Sequence, residues 1–502
     1  MRLLIKRGLV LTMDSQGQIH EDCDVLVEDG AIARIGRGLG ESAAQVDKVI
    51  DASGKLVAPG FVNAHAHSYD VYGRGLVESV PLEVWFPAAS MGLRRPLTQH
   101  EIHVRTVLVA SEMLRSGITA GYDDCTLVPL DQESVDTVMG AYRDAGIRAI
   151  VGTTVLNQPL THSMPFLSEI MPPEVLEKAN SAPIAPDSEL IEICRWMIEK
   201  WDGQANRLHV ALAPSAPQRC SDEFVLAMDD LSSRCGVPWN THVLETKVQA
   251  VTGPEFYGKT IVEHLGDLGV LSPRLALIHG VWLNDRDMEL LAGAGTSVVH
   301  NPVSNLKVGS GIAPIRDMLK AGVNVALGCD NSGAVDTQNM FETMKFAALL
   351  PEVEGPEFGV WEPSREVLRM ATMGGARSVL LDRSIGSLEV GKRADIVLYS
   401  LQAQPFAPLN DPMRQLVYCE AGQSVDTVLV DGNIVMENGQ FRTFDEEAML
   451  REAKAIGQAF RQEDEKAEQF AKALRPYLER MYWRSVAQDV GINRYSRPYP
   501  AK

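Results

Sequence analysis

Between about Ala58 and about Leu381 the sequence alternates short apolar, strand-like runs with longer segments of helical periodicity, and this alternation limits the fold more than any other feature. Eight such runs occur: "APGFVNAHAH", "GITAGYDD", "IRAIVGTTV", "LHVALAPS", "GVPWNTHV", "RLALIHGV", "TSVVHNP" and "VNVALGCD". Helical patterns lie between them, such as "LTQHEIHVRTVLVASEMLRS" and "SDEFVLAMDDLSSRCG", each with Ser, Thr or Asp near its start. Eight βα units in roughly 320 residues predict an α/β fold of the (β/α)8 barrel type. An open doubly wound sheet would need a Gly-rich phosphate turn after an early strand, and "PGFVNAHAHS" is not one.

Both ends of the chain have a different texture. "RLLIKRGLVLTM", "CDVLVEDGAIARIG" and "KVIDASGKLVAPGFV" at the start, and "GSLEVGKRADIVLYS" and "VDTVLVDGNIVMENGQF" near the end, alternate apolar and polar residues between Gly, Asp and Asn turns. The expected organisation is therefore a composite β-sandwich domain from residues 1–57 and 384–442, a barrel over 58–383 and a helical extension over 443–502. In the extension an apolar stripe including Leu450, Ala453, Ile456, Phe460 and Phe470 predicts a helix packed on the barrel or on a partner subunit.

Composition excludes several classes of function. With 45% apolar residues over 502 positions the chain can bury a large core, and its formal charge of −19 with dispersed basic residues leaves no footprint for nucleic acid or an acidic lipid surface. Seven cysteines, odd in number and without a C-x-x-C pair, suit a reducing compartment. No run approaches the roughly 18 apolar residues of a membrane span, and the N-terminus lacks a cleavage pattern. A soluble cytoplasmic protein is the expectation.

In a (β/α)8 barrel reactive groups gather at the C-terminal ends of the strands. His65 and His67 close the first run, and as i and i+2 positions of a strand they point to one side. His242 ends the fifth, His279 the sixth, His300 the seventh and Asp330 the eighth. Imidazoles with one carboxylate form a borderline donor set suited to Zn2+ and acceptable to Fe2+ or Mn2+.

"PGFVNAHAHS", "THVLE" and the block from "IHGVWLND" to "VALGCDNS" resemble the amidohydrolase superfamily, in particular its cytosine-deaminase-like branch, which includes deaminases of S-adenosylhomocysteine and methylthioadenosine and the triazine chlorohydrolases. The resemblance runs from the N-terminal β segments to about "ADIVLYS" and does not cover the terminal helix. It implies that His65, His67, His242 and Asp330 hold one divalent metal, that Glu245 shuttles protons and that His279 orients the attacking water. The chemistry is coherent, since a metal lowers the pKa of bound water from about 15.7 to about 7. Asp330 can accept the proton, and Glu245, past the strand end in a loop, can deliver one to a ring nitrogen and then to the leaving group. Binuclear members carry a bridging lysine at the end of the fourth strand, where this chain reads "LHVALAPSAPQ", so a mononuclear site is implied. Related proteins are commonly dimers or larger, which implies a homo-oligomer.

The substrate pocket departs from the better-known relatives. Adenosine-type members usually read "APHAPY" where this chain has "APSAPQRC", placing Ser215 at a pocket histidine and Gln218 at an aromatic position. Gln218 could read an amide or a ring-nitrogen edge, or face solvent in a loop. Asn331 and Ser332 follow Asp330 where many deaminases have glycine, and could contact a leaving group or bond the loop itself. Trp85 aligns with a family tryptophan and serves either as an aromatic wall or as a core residue under a long loop. His300, Ser304 and Asn305 match family positions, with loop shaping as apt a role as substrate contact. The reading that follows is hydrolytic deamination of an aminated N-heterocycle. Expulsion of chloride, an alkylamine or a thiol, or amide cleavage, by the same site is the alternative, and a metal-binding protein without turnover is the third.

Overall fold

The computed structural model describes residues 1–42, 46–89, 95–181, 183–356, 358–462 and 465–497. Each of the eight apolar runs contains a strand: Phe61–His67, Ile118–Cys125, Arg148–Val155, Leu208–Val210 continued by Ala213–Pro214, Trp239–Val243, Leu275–His279, Ser297–His300 and Val325–Leu327. The first four pair in parallel within one sheet and the last four within another. Two links run between the sheets. A parallel bridge joins Leu212 to Trp239, and Asp330–Asn331, just past the eighth strand, pair with Ala66 and His67 of the first. The outcome is a TIM-barrel-like α/β fold.

The intervening helices start and stop where the sequence caps them. Thr98 and Glu101 form a reciprocal capping box for Gln99–Arg115, and Ser221 caps Asp222–Cys235, which ends at Gly236 with a φ of +71°. Ala64, Ala276, Ile278, Val299 and Ala326, from the first, sixth, seventh and eighth strands, pack as one buried cluster. Their small size lets strands converge beneath the ends that carry the polar residues.

The N- and C-terminal β-rich segments share a nine-stranded sheet. Its order runs Gln440–Phe441, Asn433–Glu437, Val425–Val430, Ile396–Ser400, Lys55–Pro59, Arg2–Leu11, Ile19–Glu28 and Ala31–Gly36, with Lys48–Asp51 also on Arg2–Leu11. The join between the two ends of the chain is the antiparallel pairing of Ile396–Ser400 with Lys55–Pro59. Hairpin turns at Asp29-Gly30, Asp431-Gly432 and Asn438-Gly439 have both residues at positive φ, which matches the twist of the flanking strands. Leu3, Ile5, Val25, Ile396, Leu398 and Leu429 are buried in one core cluster of this region.

A buried ion network ties this sheet to the βα region. Arg148, at the start of the third strand, donates from Nε to Asp395 Oδ2 at 2.7 Å, from Nη2 to Asp395 Oδ1 at 2.9 Å and from Nη1 to the Asn206 carbonyl at 2.6 Å. Asp395 Oδ1 also accepts the Asp431 amide at 2.8 Å, and Arg393 pairs with Asp431. The side chains of Arg148 and Asp395 are 2% and 3% exposed, so either one alone would be a desolvated charge without its partner.

The C-terminal region forms helices Glu446–Gln462 and Glu465–Val486. Of the expected stripe, Ala453 and Phe460 are buried, Ile456 is half-buried, and Leu450 and Phe470 are exposed. The first helix packs on Gln99–Arg115, and the second on Leu82–Ala89, Leu167–Ile170 and Lys247–Tyr257. The last five residues of the expected extension lie outside the described residues. Among the described residues no helix is long and apolar enough to cross a membrane.

Arg148→Ala is expected to lower stability by about 3–5 kcal/mol, because it strands Asp395 in the interior. Urea denaturation of the full chain measures this.

Candidate metal centre and pocket

His65 and His67 lie on the same side of the first strand, and their Nε2 atoms are 3.1 Å apart. His242, from the fifth strand, brings its Nε2 to 3.4 Å from that of His67. Backbone carbonyls fix two of these rings. His67 Nδ1 donates to the Asp124 carbonyl and His242 Nδ1 to the Ser215 carbonyl, each at 2.7 Å. With the proton held at Nδ1, the bare Nε2 lone pairs are directed at one another.

Asp330 completes the group with Oδ1 at 3.5 Å from His65 Nε2 and 3.6 Å from His67 Nε2. Its backbone has a φ of +70°, a left-handed conformation that costs a non-glycine residue about 1–2 kcal/mol. The sequence did not single out Asp124, yet its carboxylate lies with His65, His67 and His242 in a cluster whose donor atoms are all within 4.8 Å of one another. The available signal was its place at a strand end. In "GYDDC" the two aspartates face opposite ways: Asp123 accepts from Tyr142 Oη at 2.9 Å and the Ser68 amide at 2.8 Å, while Asp124 faces the imidazoles and accepts from Thr154 Oγ1.

These donors fit a divalent cation. Burial, and then the proximity of His67, lowers His65 to about 4, and burial followed by His65 and His67 lowers His242 well below the ordinary imidazole value. Burial works against ionisation of Asp330, but the neighbouring His65 and His279 outweigh it and hold its carboxyl well below the usual range. Burial raises Asp124 to about 6. Neutral imidazole lone pairs converging beside carboxylates repel one another unless a cation lies among them, and nitrogen with carboxylate oxygen is a zinc-type donor set.

Beside this group stand the two expected proton-handling residues. Glu245 lies between strand Trp239–Val243 and helix Lys247–Tyr257, as its loop placement predicted, and its backbone amide donates to Gln249 Oε1 at 2.6 Å. Burial raises its carboxyl well above the usual range, with Asp330 and Glu83 adding to the shift. His279 has a φ of +77°; its Nδ1 is 3.0 Å from Asn305 Oδ1, and its Nε2 lies 3.4 Å from Glu245 Oε2 and 3.9 Å from Asp330 Oδ2. Asn305 thus orients His279. His300 is buried with neither ring nitrogen hydrogen-bonded, and burial lowers it to about 3.

A cavity with about 810 Å3 of space free of protein atoms, its mouth included, opens over these groups. Trp85, Ser215, Ser304 and Asn331 line it, whereas Gln218 is buried and lines a smaller cavity next to it with Glu83 and Gln249. Arg219, which the sequence reading passed over, faces the main cavity and donates from Nη1 to Ser215 Oγ at 3.2 Å. Asn331 lines the cavity and also shapes its own loop, accepting the Gly333 amide at 2.7 Å. Tyr69 and Leu82 extend the wall beside Trp85.

Comparison with known proteins agrees with this geometry. The amidohydrolase family model matches residues 56–435. A 5-methylthioadenosine/S-adenosylhomocysteine deaminase of Caldanaerobacter subterraneus is 34% identical over 459 residues, covering 91% of this chain and 98% of that protein. The crystal structure of an adenosine deaminase from Xanthomonas campestris with bound zinc superposes with a TM-score of 0.82 at 26% identity, over 92% of this chain and 98% of that one. The zinc complex of an atrazine chlorohydrolase from Arthrobacter aurescens gives 0.81 at 25% identity, over 91% and 100%.

Two tests follow from the packing. A Cβ on Gly328 would fall 2.2 Å from Asn301 Oδ1 and 2.9 Å from His65 Cβ, so Gly328→Ala displaces a donor ring and is expected to weaken metal affinity at least about tenfold, measured by chelator competition. Below their ordinary value of 6.5, His65 (to about 4), His209 (to about 4) and His300 (to about 3) are held neutral in the folded state, so the unfolded chain binds more protons in that window. These histidines therefore contribute stability to the metal-free protein that is complete above about pH 6.5 and lost as the pH drops toward 4, while Asp124, raised to about 6, opposes them between about pH 4 and 6. Denaturant midpoints against pH check this, and His300→Phe is expected to reduce the slope by about one proton.

Proposed function

The chain belongs to the amidohydrolase family, and from that membership and the converging donor set we propose that it is a divalent-metal-dependent hydrolase that removes an amino group, as ammonia, from an aromatic N-heterocycle. His65, His67, His242 and Asp330 are assigned as holding the metal, with Asp124 beside them, and zinc is assigned from the nitrogen-rich donors and the zinc in both structural neighbours. A divalent ion there would supply Lewis-acid polarisation and bring the pKa of a water toward neutrality.

The remaining steps fall to the chain's own groups. Asp330, ionised, accepts a proton from the attacking water, while His279, with Nδ1 bound to Asn305, presents Nε2 between Asp330 and Glu245 and orients that water. Glu245, whose carboxyl burial raises well above the usual range, protonates the ring nitrogen next to the carbon under attack. The proton taken from water then reaches the departing amine, and the second water proton, left on the added hydroxyl, passes to Glu245 as the carbonyl forms, so one water enters, one ammonia leaves and the acid is restored. Trp85 and Tyr69 supply flat walls for the ring, and Arg219 with Ser215 presents hydrogen-bond donors to its substituents.

The observation that carries this reading is the pairing of three converging imidazoles with a buried acid, Glu245, that shares a cavity with them. The near-equal likeness to a deaminase and to a chlorohydrolase supports a second reading, in which the same groups expel chloride or another leaving group. We further propose that the eight parallel strands close into a barrel over 58–383, and that the composite sheet from 1–57 and 384–442 folds over its core as a sandwich, supported by the links between the sheets and by the shared core cluster.

The metal-loaded enzyme is expected to release ammonia from at least one member of a panel of aminopurines, aminopterins and aminotriazines read by mass, and product without ammonia would favour the second reading. Glu245→Gln is expected to lower kcat by about 10²–10⁴-fold with little change in metal content, and Asp330→Asn to abolish turnover.

A further inference from the structure

We infer that two buried amides remote in sequence, Asn63 and Gln338, act as a clamp that sets the Asp330 carboxylate against the histidines of the first strand. The inference rests on the assignment of Asp330 as a metal donor.

The strand pairing that brings Asp330 to the first strand is short, consisting of Asp330 with Ala66 and Asn331 with His67. Asp330 is also held in the left-handed region, a conformation that persists only where its surroundings determine it. Something besides the ladder must fix it. Asn63 Oδ1 accepts the Cys329 amide at 2.9 Å and lies 3.4 Å from the His65 amide, so one side-chain oxygen serves the residue before Asp330 and the backbone of a metal donor. Asn63 Nδ2 donates to Gln338 Oε1 at 3.1 Å. Gln338 Nε2 in turn donates to the Asp330 carbonyl at 2.7 Å and to Ser332 Oγ at 3.2 Å.

Asn63 and Gln338 are 0% and 1% exposed, and each has both its amide oxygen and its amide nitrogen engaged. A connected buried network of this kind admits one arrangement, because any rotation of either amide leaves several polar atoms unpaired in low dielectric. The backbone of Gln338 is itself pinned, its carbonyl accepting from Ser116 Oγ at 3.0 Å. The chain of bonds thus runs from the helix Gln99–Arg115 region through Gln338 to both sides of the Asp330 peptide and on to the first strand. Neither amide touches the cavity, so both are positioning residues: they act through the orientation of Asp330.

The test uses cobalt(II) and zinc(II) added to the full-length metal-free protein, with affinity from chelator competition and coordination from the visible absorption of the cobalt form. Gln338→Met removes the donors at constant volume, and is expected to weaken both metals about 10–100-fold and to change the cobalt spectrum. Gln338→Glu keeps the acceptor for Asn63 but turns an oxygen toward the Asp330 carbonyl, and is expected to do the same should the methionine variant not fold. Arg148→Lys, which perturbs a buried network elsewhere, is expected to retain wild-type affinity and spectrum. Variants at Gln338 that lose thermal stability but bind cobalt with unchanged affinity and spectrum would overturn the inference. A wild-type protein that binds neither metal would instead overturn the assignment of the metal centre.

Discussion

Two hydrogen bonds from imidazole to backbone carbonyl govern the rest of this structure: His67 Nδ1 to Asp124 and His242 Nδ1 to Ser215. A carbonyl can only accept, so each bond fixes a tautomer as well as a ring angle. The lone pairs left at Nε2 then meet, and burial lowers His242 well below the ordinary imidazole value, which disfavours relieving that meeting by a proton there. Both carbonyls come from neighbouring strand ends, which means that the parallel register of the sheet decides where a cation can sit. The strained backbones of His279 and Asp330 lie in the same ring of strand ends. Their cost is tolerated where the functional groups must turn inward from the ladder direction.

Much of this was legible before any coordinates. The eight strand-like runs each contain a strand, because short apolar runs alternating with segments of helical periodicity have few other uses in a chain of this length. His65, His67, His242, Glu245, His279 and Asp330 are brought together as strand-end placement implied. The pocket was less legible for a physical reason: loops lack periodicity, so neighbouring residues cannot be assigned to inside or outside. Gln218 and Arg219 show this, since a short helical turn at Pro217–Arg219 sends the arginine to the cavity and the glutamine behind it. Asp124 escaped because a carboxylate gives no ligand signal until its distance to the imidazoles is known. Gln338 was invisible for the same reason, its partner lying at Asn63.

The second half of the architecture is electrostatic as much as apolar. Arg148 starts a strand whose far end leads toward the cavity, while its guanidinium grips the loops of the composite sheet through Asp395. Residues of the C-terminal part of the composite sheet therefore anchor the end of the βα region away from the candidate metal centre. Stability and chemistry are placed at opposite ends of the same strands, which leaves the cavity loops able to vary without disturbing the anchor.

The C-terminal helix Glu465–Val486 has a different bearing. It packs on the helix that carries Trp85 and on the one that follows Glu245, and Lys247 Nζ donates to the Val486 carbonyl at 2.6 Å. In order of synthesis, every metal donor and both proton-handling groups precede this helix by a long stretch of chain. The whole candidate donor set can thus be present in a growing chain before the helix that backs the Trp85 and Lys247–Tyr257 segments has been made.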